Sequence, residues 1–146
     1  LIIWYNIIMP LEISKALNYL YLGSHWFKSS LRLLFSDFVV RRIFIVAAAV
    51  NLLAWLGAFL LARSIGDNLA VLHYNVVFGI DLIGPAFHLY AIPGIGTAII
   101  AINILFAASL SGLRDRAISV IIATASALSN TIAISALYFA YFVNFS

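Results

Sequence analysis

The chain has 146 residues, of which 65% are hydrophobic and 9% are charged, and it has no cysteine. Soluble domains usually carry about a quarter charged residues, and a chain this short cannot bury such an apolar excess in its own interior, so lipid is the expected solvent. The net charge of +3 comes from only eight Lys and Arg residues spread along the sequence, which excludes a nucleic-acid footprint, and the lack of cysteine excludes disulfides and thiolate metal sites.

Residues 1–42 form an apolar segment that charged residues interrupt too often for a membrane-spanning helix. Apolar residues recur at helical spacing on both sides of Gly23-Ser24, and Ser24 is a suitable N-cap for a second helix. We predict one or two amphipathic helices that lie in the cytoplasmic interface of the membrane. The alternative is that part of this segment is poorly ordered or is not native coding sequence, since the chain opens with Leu1 instead of Met.

Three apolar runs without charge follow, at residues 43–62, 93–110 and 117–143. At about 1.5 Å per residue, the first run is long enough to cross roughly 30 Å of hydrocarbon. Pro93 opens the second run, where its missing N–H would have no partner anyway. The third run is longer than a crossing needs, which predicts tilting or protrusion. We therefore predict an all-α integral membrane protein with three transmembrane helices in a membrane domain of residues 43–146.

The connector between the first two runs, residues 63–92, is predicted to be ordered. Apolar residues alternate with other residues in its first half, at Leu72, Tyr74, Val76 and Phe78. This period of two is typical of a strand, and a lone strand needs a partner. Three arrangements fit: pairing with a strand from another copy, pairing through a turn back at residues 80–83, or an extended loop without a partner strand. Residues 85–90 fit a short interfacial helix that begins at a proline.

The distribution of Lys and Arg predicts the orientation of the chain. Five lie before the first run, one in the first connector, two in the second connector and none in the tail. This alternation is the one that three crossings require. By the positive-inside rule, the N-terminus lies in the cytoplasm, and residues 63–92 and the C-terminus lie outside a cell membrane.

Each apolar run carries one asparagine and no charged residue. The absence of charge argues against a self-contained pump or transporter, whose pathways usually need ionisable groups. Asn51 and Asn103 each lie nine residues from the predicted cytoplasmic boundary, so we expect their amides to pair, with Asn130 deeper in the third run. Two interpretations remain open: a polar site inside the bundle, or polar contacts that hold the helices together, which is the favoured one.

The third run also carries small residues four apart, namely Ser119, Ala123, Ala127, Thr131 and Ser135. This pattern predicts a face without bulk, against which a neighbouring helix packs closely. Ala123, Ala127 and Thr131 are therefore candidate packing residues. The partner is the first or second run, another copy of the chain, or another membrane protein.

The connector also carries a recognisable motif, composed of His73-Tyr74-Asn75, Gly79, Asp81 and Pro93. This pattern resembles the domain-of-unknown-function module of SdpI-type bacterial membrane proteins, over residues 43–110. The chain departs from that module in having four residues from the Asn to the Gly instead of three, and Val71-Leu72 where a Pro usually precedes the His. Some SdpI-type proteins act in toxin immunity and signalling, and the module has no assigned chemistry. The resemblance implies a partner-binding connector that uses His73, Tyr74, Asn75, Gly79 and Asp81.

The residues of the connector leave a second chemistry open. His73, Asp81 and His88 are candidate Zn²⁺ ligands, since imidazole and carboxylate groups suit that metal. In the favoured alternative, His73 and Asn75 bond the loop backbone and Asp81 caps a turn at Leu82. Neither a nucleophile motif nor a phosphate loop is found.

We therefore predict a non-enzymatic membrane protein without a cofactor, whose external connector binds a partner, peptide or envelope component. The alternatives are a metal-binding or metal-assisted membrane enzyme, and a subunit of a larger membrane complex.

Overall fold

The computed structural model of the chain describes residues 11–75, 77, 79–110 and 116–145. In chain order the elements are α1 (Leu11–Ser36), α2 (Phe38–Ile65), β1 (Leu69–Asn75), β2 (Gly79–Pro85), a 3-10 helix (Ala86–Tyr90), α3 (Ala91–Leu110) and α4 (Arg116–Phe145). Three helical segments are long and apolar enough to cross a bilayer: α2, α3 with its leading 3-10 helix, and α4. The predicted all-α integral membrane protein with three transmembrane helices is thus confirmed.

Helix α1 is continuous, so the segment has one of the one or two predicted helices, and Ser24 is not an N-cap. The Ser24 hydroxyl donates to the Tyr21 carbonyl oxygen at 2.9 Å. It therefore bonds back to the preceding turn instead of capping a new helix. The described side chains before Ser30 are exposed, whereas Leu34 packs into the bundle. Helix α1 is thus joined to the bundle by its last turns, and its position in the membrane interface stays a prediction. The first ten residues of the predicted segment lie outside the described residues.

Asp37 separates α1 from α2 and sets the residue at which the first span begins. Its carboxylate accepts hydrogen bonds from the backbone N–H groups of Val39 at 2.9 Å and Val40 at 3.1 Å. These bonds make Asp37 the N-cap of α2. The helix therefore starts before the predicted first run, and Arg41-Arg42 lie inside it. Arginine is a good helix former, so this pair marks where the charge-free run begins but does not interrupt the helix.

Helix α4 packs against both α2 and α3. Its buried residues are spaced alternately four and three apart, at Ser119, Ala123, Ser126, Asn130, Ala133 and Leu137. The small-residue stripe predicted from a spacing of four does not follow this face, because Thr131 and Ser135 are exposed. Each four-residue step turns about 40° beyond one full helical turn. The stripe therefore winds away from the buried face, so that Ser119 and Ala123 pack inside the bundle whereas Thr131 and Ser135 do not. Packing of the exposed part against another copy or another membrane protein stays a prediction.

Two apolar clusters close the ends of the bundle. One joins α1 to the three spans through Leu34, Val40, Phe44, Ala107, Ala108 and Ala123. The other joins β1 and the 3-10 helix to α2 through Leu61, Ile65, Ala70, Ala86 and Leu89. We refer to these as the Asp37 end and the hairpin end. The two strands and the last turn of α4 lie together at the hairpin end.

Candidate functional site

The connector folds into an antiparallel hairpin, so the turn back through residues 80–83 is the partner that β1 uses. The pairing runs from Leu69 opposite Pro85 to Asn75 opposite Gly79. The register shifts on either side of the His73–Leu82 pair, which leaves Leu72 and Asp81 as extra residues in their strands. Gly79 has a φ of 75°, a left-handed conformation that favours glycine at the turn. Two bulges therefore interrupt the strict alternation that the sequence suggested.

The hairpin is held to the bundle by a side chain from the last turn of α4. The Asn144 side-chain Oδ1 accepts a hydrogen bond from the Val71 backbone N–H at 2.9 Å, and its Nδ2 donates to the Val71 carbonyl oxygen at 2.9 Å. Nδ2 also donates to the Ala140 carbonyl oxygen at 2.8 Å. The amide thus takes the place of a neighbouring strand along the outer edge of β1 and satisfies backbone groups that would otherwise be unpaired.

The base of the hairpin is also closely packed. A Cβ added at Gly84 would lie 2.9 Å from Leu72 Cδ1 and 3.0 Å from His88 Nδ1. Leu72 in turn packs against the buried cluster that includes Leu61 and Leu89. Because a side chain at position 84 would displace these two neighbours, the glycine allows β2 and the 3-10 helix to approach each other.

The other strand, β2, has apolar side chains that are exposed. Ile80, Leu82 and Ile83 are each more than half exposed, and Val77 in the turn is 80% exposed. The sheet has the order β1–β2, so in the described part of the chain β2 has no second neighbour. A free strand edge flanked by apolar side chains is a ready template for pairing with another extended chain.

The residues predicted to form the binding site are distributed over this hairpin. His73 is exposed on β1, Gly79 starts β2, and Tyr74, Asn75 and Asp81 lie in the strands. The side chains of Tyr74, Asn75 and Asp81 lie outside the described residues. The backbone at Asp81 and Leu82 is extended as part of β2, so the predicted turn capped by Asp81 is wrong.

The structure brings together no metal site among the side chains it describes. No group of three or more His, Asp or Glu residues lies close enough to hold a metal ion in that part of the chain. His88 lies on the 3-10 helix, where its ring packs beside Gly84 and 4.4 Å from the Phe87 ring. The predicted trio also needs Asp81, whose side chain is not among those described.

A second cluster of polar side chains lies inside the bundle and joins all three spans. The Asn51 side-chain Nδ2 donates to Asn130 Oδ1 at 2.8 Å and to the Pro93 carbonyl oxygen at 3.0 Å. The Thr97 hydroxyl lies 2.9 Å from Asn51 Oδ1 and accepts from Trp55 Nε1 at 3.0 Å. Asn51 and Asn130 are buried. Every group in this cluster is uncharged and hydrogen-bonded, which is how polar side chains stabilise contacts between membrane helices.

The predicted pairing of Asn51 with Asn103 is wrong. The predicted boundaries of the apolar runs do not give the relative depths of the asparagines in the bundle, and Asn51 lies level with Asn130 instead. Arg116 Nε lies 2.8 Å from Asp37 Oδ2, so the starts of α2 and α4 are level. Asn51 and Asn130 each lie fourteen positions beyond this ion pair, or about 21 Å along a helix. Asn103 instead donates to the Ser126 hydroxyl at 2.9 Å, nearer the Asp37 end.

Four residues of these sites are not predicted from the sequence, namely Gly96, Thr97, Trp55 and Asn144. A Cβ added at Gly96 would lie only 2.6 Å from Asn51 Nδ2, so the close contact between α3 and the two asparagines depends on this glycine. Pro93 and Thr97 are one helical turn apart, and this spacing is the sequence feature that could have indicated a contact at this position of α3. The residues around Asn144 do not indicate its role, because its partner Val71 lies 73 positions away in the sequence.

Comparison with protein families finds none that matches this chain, and comparisons with curated proteins and with solved structures find no match either. The resemblance to the SdpI-type module therefore stays a prediction from the motif.

Proposed function

We propose that this chain is a non-enzymatic multi-pass membrane protein that binds a peptide or protein partner through the hairpin at the outer surface of the membrane. The observation that carries the proposal is a difference between the outer edges of the two strands. The outer edge of β1 is occupied by Asn144, whereas β2 exposes Ile80, Leu82 and Ile83. An anchored hairpin with one free edge suits a binding surface better than a connector.

The kind of partner follows from the chemistry of that edge. An extended peptide that adds a third strand would bond the outward backbone groups of β2, and its side chains would cover apolar residues on the hairpin. The exposed Leu82 and Ile83 point to opposite faces of a strand, so an added strand would gain apolar contacts on both faces. An apolar peptide or an extended segment of an envelope protein is the ligand that this surface favours.

The sequence supports a side of the membrane and a biological class for this proposal. The Lys and Arg distribution favours a cytoplasmic Asp37 end and an external hairpin. The resemblance of the hairpin motif to the SdpI-type module suggests immunity against a toxin, or signalling, as the process. Both need a membrane protein that recognises an external ligand, which agrees with a hairpin held ready for binding.

Site-specific photocrosslinking in native membranes tests this function. A photoreactive amino acid at Leu82 is expected to give a crosslinked adduct with a peptide or protein that mass spectrometry identifies. The matched control is Ile121, which is 66% exposed but lies near the start of α4, at the opposite end from the hairpin. Adducts from Leu82 that disappear in the Ile80→Asp variant would support the proposal. Equal crosslinking from both positions, or none from the hairpin, would contradict it.

A further inference from the structure

Three arginine side chains gather at the Asp37 end of the bundle. Arg116 pairs with Asp37 through Nε, and the guanidinium carbons of Arg42 and Arg41 lie 3.9 Å and 5.9 Å from the centroid of the Phe38 ring. All three arginine side chains are exposed. We refer to Arg41, Arg42 and Arg116 as the arginine cluster.

Among the described residues, the cluster keeps an excess of positive charge. The only carboxylate among these contacts is that of Asp37, and it already accepts hydrogen bonds from two backbone N–H groups of α2. The side chain of Arg116 remains 64% exposed in spite of the ion pair. Arg41 Nη1 donates to the Phe35 carbonyl oxygen at 3.4 Å, which holds this guanidinium near the ring. The guanidinium groups are therefore both held in place and accessible to an anion.

The surface next to the cluster is apolar and exposed. Ile45 and Val46 lie one helical turn beyond Arg41 and Arg42, and they are 59% and 54% exposed. Residues four apart lie on the same face of a helix. A phospholipid whose acyl chains pack on Ile45 and Val46 would therefore place its phosphate beside the two guanidinium groups.

We propose that the arginine cluster binds the headgroup phosphate of an anionic phospholipid. The planar guanidinium fork matches phosphate oxygens, and basic residues next to a membrane span attract anionic lipids. Phosphatidylglycerol fits, because its headgroup lacks the quaternary ammonium group of phosphatidylcholine, which the arginines would repel. Arg32 and Lys28, both exposed on α1, extend the basic surface along the interfacial helix. The site is at the opposite end from the hairpin, so it stands apart from the proposed function.

Native mass spectrometry of the full chain in detergent micelles tests the proposal, with phosphatidylglycerol and phosphatidylcholine as probes. The wild-type chain is expected to bind phosphatidylglycerol more tightly than phosphatidylcholine, by roughly 30-fold or more. The Arg41→Gln/Arg42→Gln variant is expected to lose affinity for phosphatidylglycerol by roughly 30-fold, from the loss of two interfacial arginines, with phosphatidylcholine unaffected. The control is Arg63→Gln, which removes the arginine at the hairpin end and should leave both affinities unchanged.

Two wild-type measurements keep the test decisive if the double variant fails to fold. Phosphatidylglycerol affinity is expected to fall as salt is raised, because screening weakens exposed charge interactions. Inorganic phosphate at the same concentration is expected not to compete, because it lacks the acyl chains. Equal affinity for the two lipids, no effect of salt, or full competition by phosphate would overturn the proposal.

Discussion

Gly96 is the residue that lets α3 contact two asparagine side chains in the middle of the bundle. Its missing side chain leaves room for the amides of Asn51 and Asn130, and its carbonyl oxygen lies 3.5 Å from Asn130 Nδ2. Buried amides in a membrane need partners, because no water is present to replace them. A single glycine therefore determines whether the polar cluster is complete.

We expect Gly96→Ala to destabilise the bundle by about 1–3 kcal/mol, the usual cost of adding a methyl group to a packed site. The measurement is the unfolding free energy in mixed micelles with a denaturing detergent. Gly94→Ala is the matched control, since a Cβ at that glycine would meet nothing within 4 Å. It should be neutral or slightly stabilising, by up to about 1 kcal/mol from helix propensity. Equal losses in the two variants would show that close approach at position 96 is not the cause.

The hairpin is an element that depends on other parts of the fold. A two-stranded hairpin alone is marginally stable in water, and β2 leaves much of its apolar surface exposed. Its order depends on the buried cluster around Leu89 and on the bonds from Asn144. The last turn of α4 is therefore a structural support for the hairpin.

We expect Asn144→Ala to release the edge of β1 without unfolding the spans. Two hydrogen bonds to one backbone residue are worth about 2 kcal/mol together, so exchange of the Val71 amide hydrogen should speed up by roughly 30-fold. Hydrogen exchange with fragment mass spectrometry measures this rate. Phe145→Ala, beside it and half exposed, is the control. Unchanged protection of β1 in Asn144→Ala would rule out the clamp.

The boundary between α1 and α2 is an element whose stability depends on pH. The Val40 N–H, and after it the Val39 N–H and the Arg116 guanidinium, hold the pKa of Asp37 below its ordinary value, against an opposing effect of desolvation. Because the folded value is the lower one, the charged carboxylate stabilises the folded state above about pH 4, the range of an unfolded Asp. This contribution is lost as the pH falls through the folded value.

Asp37→Asn should therefore remove part of the acid sensitivity of the chain. Asparagine is also a good N-cap, so the variant removes the charge but keeps the cap. We expect the thermal midpoint of the variant to fall less than that of the wild-type chain between pH 5 and pH 3. Asp67→Asn, an exposed carboxylate at the hairpin end, is the control. A wild-type and a variant midpoint that fall in parallel would contradict this account.

At the scale of the whole molecule, two contacts show which ends of the helices lie together. The Asp37–Arg116 pair joins the starts of α2 and α4, and the Asn144–Val71 bonds join the end of α4 to the hairpin. These two contacts lie at opposite ends of the bundle. The two strands, the 3-10 helix and the end of α4 therefore lie at the same end of the bundle, whichever side of a membrane that is.

Labelling single cysteines in intact cells decides the orientation, and the chain has no cysteine of its own to interfere. A cysteine at Val77, which is 80% exposed, should react with a membrane-impermeant thiol reagent. A cysteine at exposed Ser29 in α1 should react only after the cells are opened, because the Lys and Arg distribution favours a cytoplasmic Asp37 end. The reverse pattern would place the hairpin in the cytoplasm and remove the basis for an external ligand.

The sequence alone determined the properties that depend on one segment at a time. Charge-free runs predicted the three spans because charged side chains are costly in hydrocarbon, and the period of two near Val71 predicted a strand. The helix boundaries were less well determined, since Arg41-Arg42 ended the apolar run but not the helix.

The tertiary structure decided which distant residues meet. Asn51 bonds Asn130 and not Asn103 because the heights of α2 and α4 are set by the Asp37–Arg116 pair, and such a height is not encoded in any one run. Asn144 contacts Val71 from 73 positions away, and the small-residue stripe of α4 lies only partly on the buried face. Contacts of this kind depend on the relative rotation and depth of packed helices, which the periodicity of a single helix does not specify.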